Sequence, residues 1–220
     1  MELNSDVISK KLLESFNYNV KKIPETKQQE ADFLITLNGC NDTALIEAKV
    51  ITDDKKEYLK KDKTLKDGNV YVYKADLGIN NKISKITSKA KRQLLSSSEN
   101  NKHKYKLILY VVSGINPPTK SEQIIDTLYG RTRILIGSKN TTKDCYYFRP
   151  SKFFSYKNIL DGAIIATEDL INKNKFNLIF CLNSYSKNFN TLKSSCLIKP
   201  FNQAILDPIM VKYLFQIIIF

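Results

Sequence analysis

Apolar residues near the start of the chain recur at helical spacing. Val7, Ile8, Leu12, Leu13 and Phe16 share one face of a helix predicted over residues 6–16, with Ser5 or Asp6 as its N-cap. After a turn around Asn17 and Asn19, Val20 and Ile23 lead to Pro24. Two segments, 31–37 (ADFLITL) and 43–50 (TALIEAKV), then carry the β-branched and alternating character of strands. The intervening Asn38-Gly39-Cys40-Asn41-Asp42 is turn chemistry, so the pair is predicted to form a hairpin.

The charged stretch 53–67 reads as either a solvated helix or a loop, and Val70-Tyr71-Val72-Tyr73 as a short strand. Ile83, Ile86, Ala90 and Leu94 predict a helix over 83–95, ended by the polar run Ser96 to Asn101. The continuous apolar run Leu107 to Val112 has the signature of a central strand covered on both faces. Beyond it, Pro117-Pro118 interrupts the chain and Glu122 to Leu128 reads as helix. Strands are predicted at 133–136, 145–148 and 176–182, and a strand running into a helix at 163–171. Tyr213 to Phe220 reads as a buried strand or helix end. Strands that alternate with helices imply an α/β fold with a mixed central sheet flanked by helices. With no internal repeat and no Gly/Ser linker, residues 1–220 are expected to form a single domain.

The hairpin pattern also brings chemistry together. With the turn centred between Cys40 and Asn41, Asp32 is expected opposite Lys49, Leu34 opposite Glu47 and Thr36 opposite Leu45. Opposed residues share a face, as do residues two apart on a strand, so Asp32, Glu47 and Lys49 converge. Phe33, Ile35, Leu37, Ile46, Ala48 and Val50 fill the other face, which is apolar enough to be core. A slip of one residue would destroy this convergence. Two carboxylates can hold one or two Mg²⁺ ions, which neutralise charge on a phosphorane-like transition state and generate a hydroxide-like nucleophile. A neighbouring lysine can orient or deprotonate water, or stabilise developing negative charge.

Composition narrows the partner. The formal net charge is +13, which suits a polyanion. The same excess is also what a general bias toward Lys, Asn and Ile would produce, since lysines far outnumber the four arginines. The groups Arg131, Arg133, Lys139, Lys143 and Lys85, Lys89, Lys91, Arg92 are candidates for contact with a phosphate backbone. The aromatic cluster Tyr146, Tyr147, Phe148, Phe153, Phe154 and Tyr156 offers rings for stacking on bases, although core packing is the weightier reading. Cys40, Cys145, Cys181 and Cys196 show no C-x-x-C spacing, and His103 is the sole histidine. Neither a Cys/His zinc site nor a disulfide framework is therefore expected, and His103 reads as a loop residue. No G-x-x-x-x-G-K phosphate loop is present. No apolar run is long enough for a membrane span and the N-terminus shows no export leader, so a cytoplasmic protein is expected.

Asp32 in Glu30-Ala-Asp-Phe-Leu-Ile35, followed by Ile46-Glu-Ala-Lys-Val50, resembles the signature of the PD-(D/E)XK nuclease superfamily: an acidic residue, a variable gap, then (D/E)-x-K on the next strand. The resemblance covers roughly residues 5–115. It implies a restriction-endonuclease-like sheet, Asp32 and Glu47 as ligands of Mg²⁺ (with Mn²⁺ as a substitute), and Lys49 as the catalytic lysine. It also points to Glu14 as a further metal ligand and to Gln93 as a site glutamine, each weighed against a solvated helix residue. Ala31 stands where the family pattern often has proline. The expected function is a metal-dependent endonuclease acting on DNA in restriction, defence or repair, alone, as a homodimer or with a partner subunit. The alternative is a catalytically inactive nucleic-acid-binding module of the same fold.

Overall fold

The computed structural model describes residues 5–24, 30–99, 101–137, 141–173, 175–201 and 204–208. Helix α1 (Ser5–Ser15) leads into β1 (Tyr18–Lys22), and β2 (Phe33–Leu37) and β3 (Thr43–Ile51) form the hairpin. Helices α2 (Lys55–Lys66) and α3 (Asn81–Ser97) precede β4 (Tyr105–Val112), which is followed by α4 (Pro117–Tyr129) and a small hairpin, β5 (Thr132–Ile136) and β6 (Thr141–Cys145). The short α5 (Lys152–Ser155), β7 (Gly162–Glu168), β8 (Phe176–Leu182), α6 (Phe189–Lys193), a 3-10 helix (Cys196–Phe201) and β9 (Ile205–Leu206) complete the described chain.

Seven strands form one mixed sheet in the order β1-β2-β3-β4-β7-β8-β9, so the protein is α/β. The β1–β2–β3 and β7–β8 pairings are antiparallel, whereas β3–β4, β4–β7 and β8–β9 are parallel. The apolar run read as a central strand is β4, fourth of the seven. Its residues are buried because both faces of the sheet are covered. On one face Phe33, Ile35, Ala44, Ile46 and Ala48 pack with Leu12 and Leu13 of α1, Leu192 of α6 and Leu197 of the 3-10 helix. On the other, Leu45, Ile108 and Tyr110 meet Ile83, Ala90 and Leu94 of α3, Ile124 and Leu128 of α4, and Phe153 of α5.

Several local expectations are corrected. The β2–β3 register pairs Phe33 with Ile46, Leu34 with Leu45 and Thr36 with Thr43, two residues away from the expected alignment. An even slip leaves every side chain on its face, so the convergence of Asp32, Glu47 and Lys49 survives. Residues 18–22 form an edge strand that the pattern around Asn17 and Asn19 does not announce. Residues 70–73 are not a strand: Val70 is 86% exposed, while the hydroxyls of Tyr71 and Tyr73 donate to Glu57 and Asp53. Their alternation reflects anchored tyrosines rather than a partner strand. The charged stretch is helix α2, and it buries no residue.

Pro117 and Pro118 open α4 rather than end an element, since proline at the first helical positions lacks only an N–H that has no intrahelical partner. Strand β6 ends at Cys145, and Tyr147 turns the chain with φ of 59°. Strand β7 ends at Glu168 with no helix after it. Cys40 and Cys196, contrary to the reading of the cysteines, form a disulfide between the hairpin turn and the 3-10 helix. Beside it, Asp42 accepts hydrogen bonds from Ser195 Oγ at 2.6 Å and Lys104 Nζ at 2.7 Å. Residues 213–220 lie outside the described residues. Among the described residues, no helix is long and apolar enough to cross a membrane.

One buried ion pair locks the end of β3 to the start of α4. Lys120 Nζ lies 2.5 Å from Asp53 Oδ2, both side chains are under a tenth exposed, and the Ile115 amide donates to the same oxygen at 2.7 Å. Removing one member of such a pair leaves a buried charge without compensation. Lys120→Ala is expected to lower unfolding free energy by about 3 kcal/mol in urea titration. A loss under about 1 kcal/mol would show that the pair behaves like an exposed one.

Candidate active site

Asp32 lies just outside the last paired rung of the β2–β3 ladder. Its amide donates to the Ile46 carbonyl at 3.1 Å and its own carbonyl accepts from the Ile23 amide at 2.9 Å. Its side chain then turns along β3, and Oδ2 accepts from the Ala48 amide at 2.8 Å. A backbone donor of β3 therefore fixes the Asp32 carboxylate beside Glu47 and Lys49. The entering segment is moored on α3: the Ala31 amide donates to Ser97 Oγ at 2.6 Å, and the Glu30 carbonyl accepts from Gln93 Nε2 at 3.3 Å. A proline at position 31 would have no N–H for Ser97, so alanine suits this chain's way of holding the strand.

Glu47 is fully buried in β3, opposite Ile108 of β4. Its Oε1 contacts the Lys49 ammonium, while Oε2 is buried and has no hydrogen-bond partner. Lys49 Nζ also donates to Gln93 Oε1 at 3.0 Å. Gln93 therefore stands between the Lys49 ammonium and the Glu30 carbonyl, joining β3 to the segment ahead of β2. Burial pushes the Glu47 carboxyl up to about 8, the Asp32 charge adds to the rise, and Lys49 opposes it. Asp32 is raised as well, first by burial, against the Ala48 amide and Lys49. Two adjoining carboxyls that both resist ionisation, one with an unpartnered buried oxygen, fit a divalent cation as the missing charge.

Asp32, Glu47, Lys49 and Gln93 thus come together. Glu14 does not join them. It is half exposed on α1, 3.7 Å from Lys10. The acidic residue of α1 that Asp32 feels is Asp6, which adds to the rise in its pKa. Asp6 lies eight residues earlier, about 12 Å along the helix axis, and pairs with Lys22 at 2.5 Å. The apolar pattern offers Ser5 or Asp6 as an N-cap, whereas the helix already begins at Ser5 and Asp6 lies in its first turn. Lys89, one helical turn before Gln93, lowers the Glu47 pKa and so brings positive charge to the same cluster.

Two arginines expected to meet a phosphate backbone are committed elsewhere. Arg131 is buried, with Nε 2.6 Å from Asp126, Nη1 3.0 Å from Asp144, and Nη2 against Glu122. Arg133 reaches the same Glu122 and Asp144, each at 3.2 Å. They fasten the β5–β6 hairpin to α4, and Lys139 lies outside the described residues. A cleft of about 440 Å³, which includes none of Asp32, Glu47, Lys49 and Gln93 in its lining, is bounded by Val50, Asp53, Tyr73, Lys82, Ile86 and Lys120. It gives a ligand room at the C-terminal end of β3, where parallel sheets commonly bind.

A cation that binds only the folded state stabilises it by about 1.4 kcal/mol at ten times its dissociation constant. For a domain of this size that is about 3–6 °C in Tm. Mg²⁺ or Mn²⁺ is expected to raise Tm by this order in the parent protein, and calorimetry should find no rise in Asp32→Ala or Glu47→Ala. An equal rise in all three proteins places the ion elsewhere.

No protein-family model, curated protein or solved structure matches this chain.

Proposed function

We propose that this protein is a metal-dependent nuclease that hydrolyses phosphodiester bonds of DNA, with the site on a restriction-endonuclease-like sheet. The observation that carries the reading is the unpartnered, buried Oε2 of Glu47, set beside the Asp32 carboxylate and the Lys49 ammonium. A purely structural ion pair would have little reason to leave a buried carboxylate oxygen without a donor.

Asp32 and Glu47 would hold the ion. When bound, it supplies Lewis-acid stabilisation of the phosphoryl oxygens and lowers the pKa of a water. The Ala48 amide keeps the Asp32 carboxylate aimed inward, so little reorganisation is needed on binding. Lys49 brings a positive charge within reach of the reacting phosphate, where it orients the attacking water or offsets charge on the phosphorane oxygens. Gln93 is a positioning residue: it holds the ammonium through Oε1 and the Glu30 carbonyl through Nε2. In the reaction, water oxygen adds to phosphorus and the bond from phosphorus to the bridging oxygen breaks. The water's proton leaves to solvent and the departing oxygen gains one. The products are a phosphate monoester and a free hydroxyl. The formal charge of +13 supports a polyanionic substrate through counterion release.

Plasmid DNA is expected to be nicked in Mg²⁺ or Mn²⁺ and left intact in EDTA. Asp32→Ala, Glu47→Ala and Lys49→Ala should each lose at least about 10²-fold in rate while keeping a cooperative unfolding transition. Gln93→Ala should lower kcat by roughly ten- to a hundredfold with little change in KM. Metal-dependent nicking retained by all three alanine variants overturns the site. DNA binding without any metal-dependent nicking by the parent protein supports the inactive binding module instead.

A further inference from the structure

The aromatic residues after β6 divide into two sets. Phe153 is fully buried and packs edge-on against Tyr129, with ring centroids 4.9 Å apart. Phe154, its neighbour on α5, points the other way and is 50% exposed. Its ring meets Tyr185, itself 40% exposed, edge-on at 4.9 Å, and Tyr185 rests in turn on Tyr147 at 4.7 Å. These rings are held firmly. Ser151 Oγ caps α5 by accepting from the Phe154 amide at 3.1 Å while donating to the Leu128 carbonyl, and the Tyr185 amide donates to Asn183 Oδ1.

One lysine lies over the exposed Phe154 ring, and two lie over the half-buried Tyr156 on the same short segment. Lys157 Nζ lies 4.8 Å from the Phe154 centroid, and Lys91 and Lys152 each lie 5.5 Å from that of Tyr156. None of these three lysines pairs with a carboxylate among the described residues. Rings that carry ammonium groups without a carboxylate partner, 4.8–5.5 Å from their centroids, suit a ligand that is both aromatic and anionic.

The patch is linked to the catalytic cluster by one helix. Ser88 and Lys91 of α3 touch Tyr156, the former through a contact between hydroxyls at 2.7 Å. Lys89 and Gln93 of the same helix face Glu47 and Lys49. At 100° per residue, the exposed Lys85 and Arg92 fall on the ridge between the two sides. Cluster, ridge and patch therefore follow one another across a helix about 10 Å wide.

We propose that Phe154 and Tyr185, with Lys91, Lys152 and Lys157, form a stacking platform for the bases of a single-stranded nucleic acid that crosses α3 from the catalytic cluster. The platform shares its nucleic-acid partner with the nuclease reading above and adds a preference for unpaired bases. Bases in a duplex are stacked on one another and present no free face, whereas an open strand offers each base to a ring.

The chain contains no tryptophan, so Phe154→Trp introduces a single reporter into the platform. In EDTA, where cleavage is absent, an oligothymidylate of about 20 nucleotides, longer than a typical single-strand site, is expected to quench this tryptophan saturably. By anisotropy of the labelled oligomer, Phe154→Ala and Tyr185→Ala should each weaken binding roughly five- to a hundredfold. The loss should be smaller for a duplex of the same length. Lys157→Ala should reduce the slope of log affinity on log salt by about 0.7. Tryptophan emission that does not change at saturation, or alanine variants that bind within twofold of the parent, would overturn the platform. So would a dimer that Phe154→Ala converts to monomer in sedimentation without loss of oligomer affinity, since the patch would then join two copies of the chain. Platform binding by a protein with no metal-dependent nicking would leave this proposal standing and remove only the hydrolase.

Discussion

The bond from the Ala48 amide to the Asp32 carboxylate determines how the rest of the site is arranged. One backbone donor in β3 takes a side chain from the neighbouring segment and turns it toward Glu47. Burial then makes the two carboxyls expensive to ionise together, and Lys49, whose charge opposes the rise of both, touches only Oε1 of Glu47. The surrounding fold serves this arrangement. β4 walls the cluster on one side, and α3 supplies both the Gln93 side-chain amide, which donates to the Glu30 carbonyl, and the Ser97 hydroxyl, which accepts from the Ala31 amide.

The convergence of the candidate site's side chains was legible in the sequence because strand chemistry depends on parity. Choosing odd or even positions of 31–37 and 43–50 correctly is enough to decide which residues share a face, and a register wrong by two residues changes neither choice. The central strand β4 and helix α3 were legible for similar reasons: one is a continuous apolar run and the other keeps its apolar residues at a steady helical spacing. Features set by tertiary partners were not legible. β1 is held as a strand by pairing with β2, and the Val70–Tyr73 alternation leads only to acidic anchors on α2 and β3's end. Asp6 became relevant only when α1 was placed near Asp32.

Charge counting proved a coarse guide to the surface. Arg131 and Arg133 carry the residue type best suited to phosphate, yet both are held by Glu122 and Asp144 within the protein. Lysines outside the ion pairs of the described residues include those beside the α5 rings, those along α3 and those of α2, which buries no residue. Ring exposure could not be read from the cluster's composition either, because Phe153 and Phe154 are adjacent and identical, and only the direction of a four-residue helix separates core from surface.

The disulfide between Cys40 and Cys196 spans 156 positions and encloses β3, β4, β7, β8 and every helix between them. A single cut by a protease anywhere in that interval would leave the two pieces covalently joined. The nicked protein would migrate as one species until a thiol reductant was added, and the hairpin that carries Glu47 and Lys49 would stay attached to the C-terminal half of the sheet.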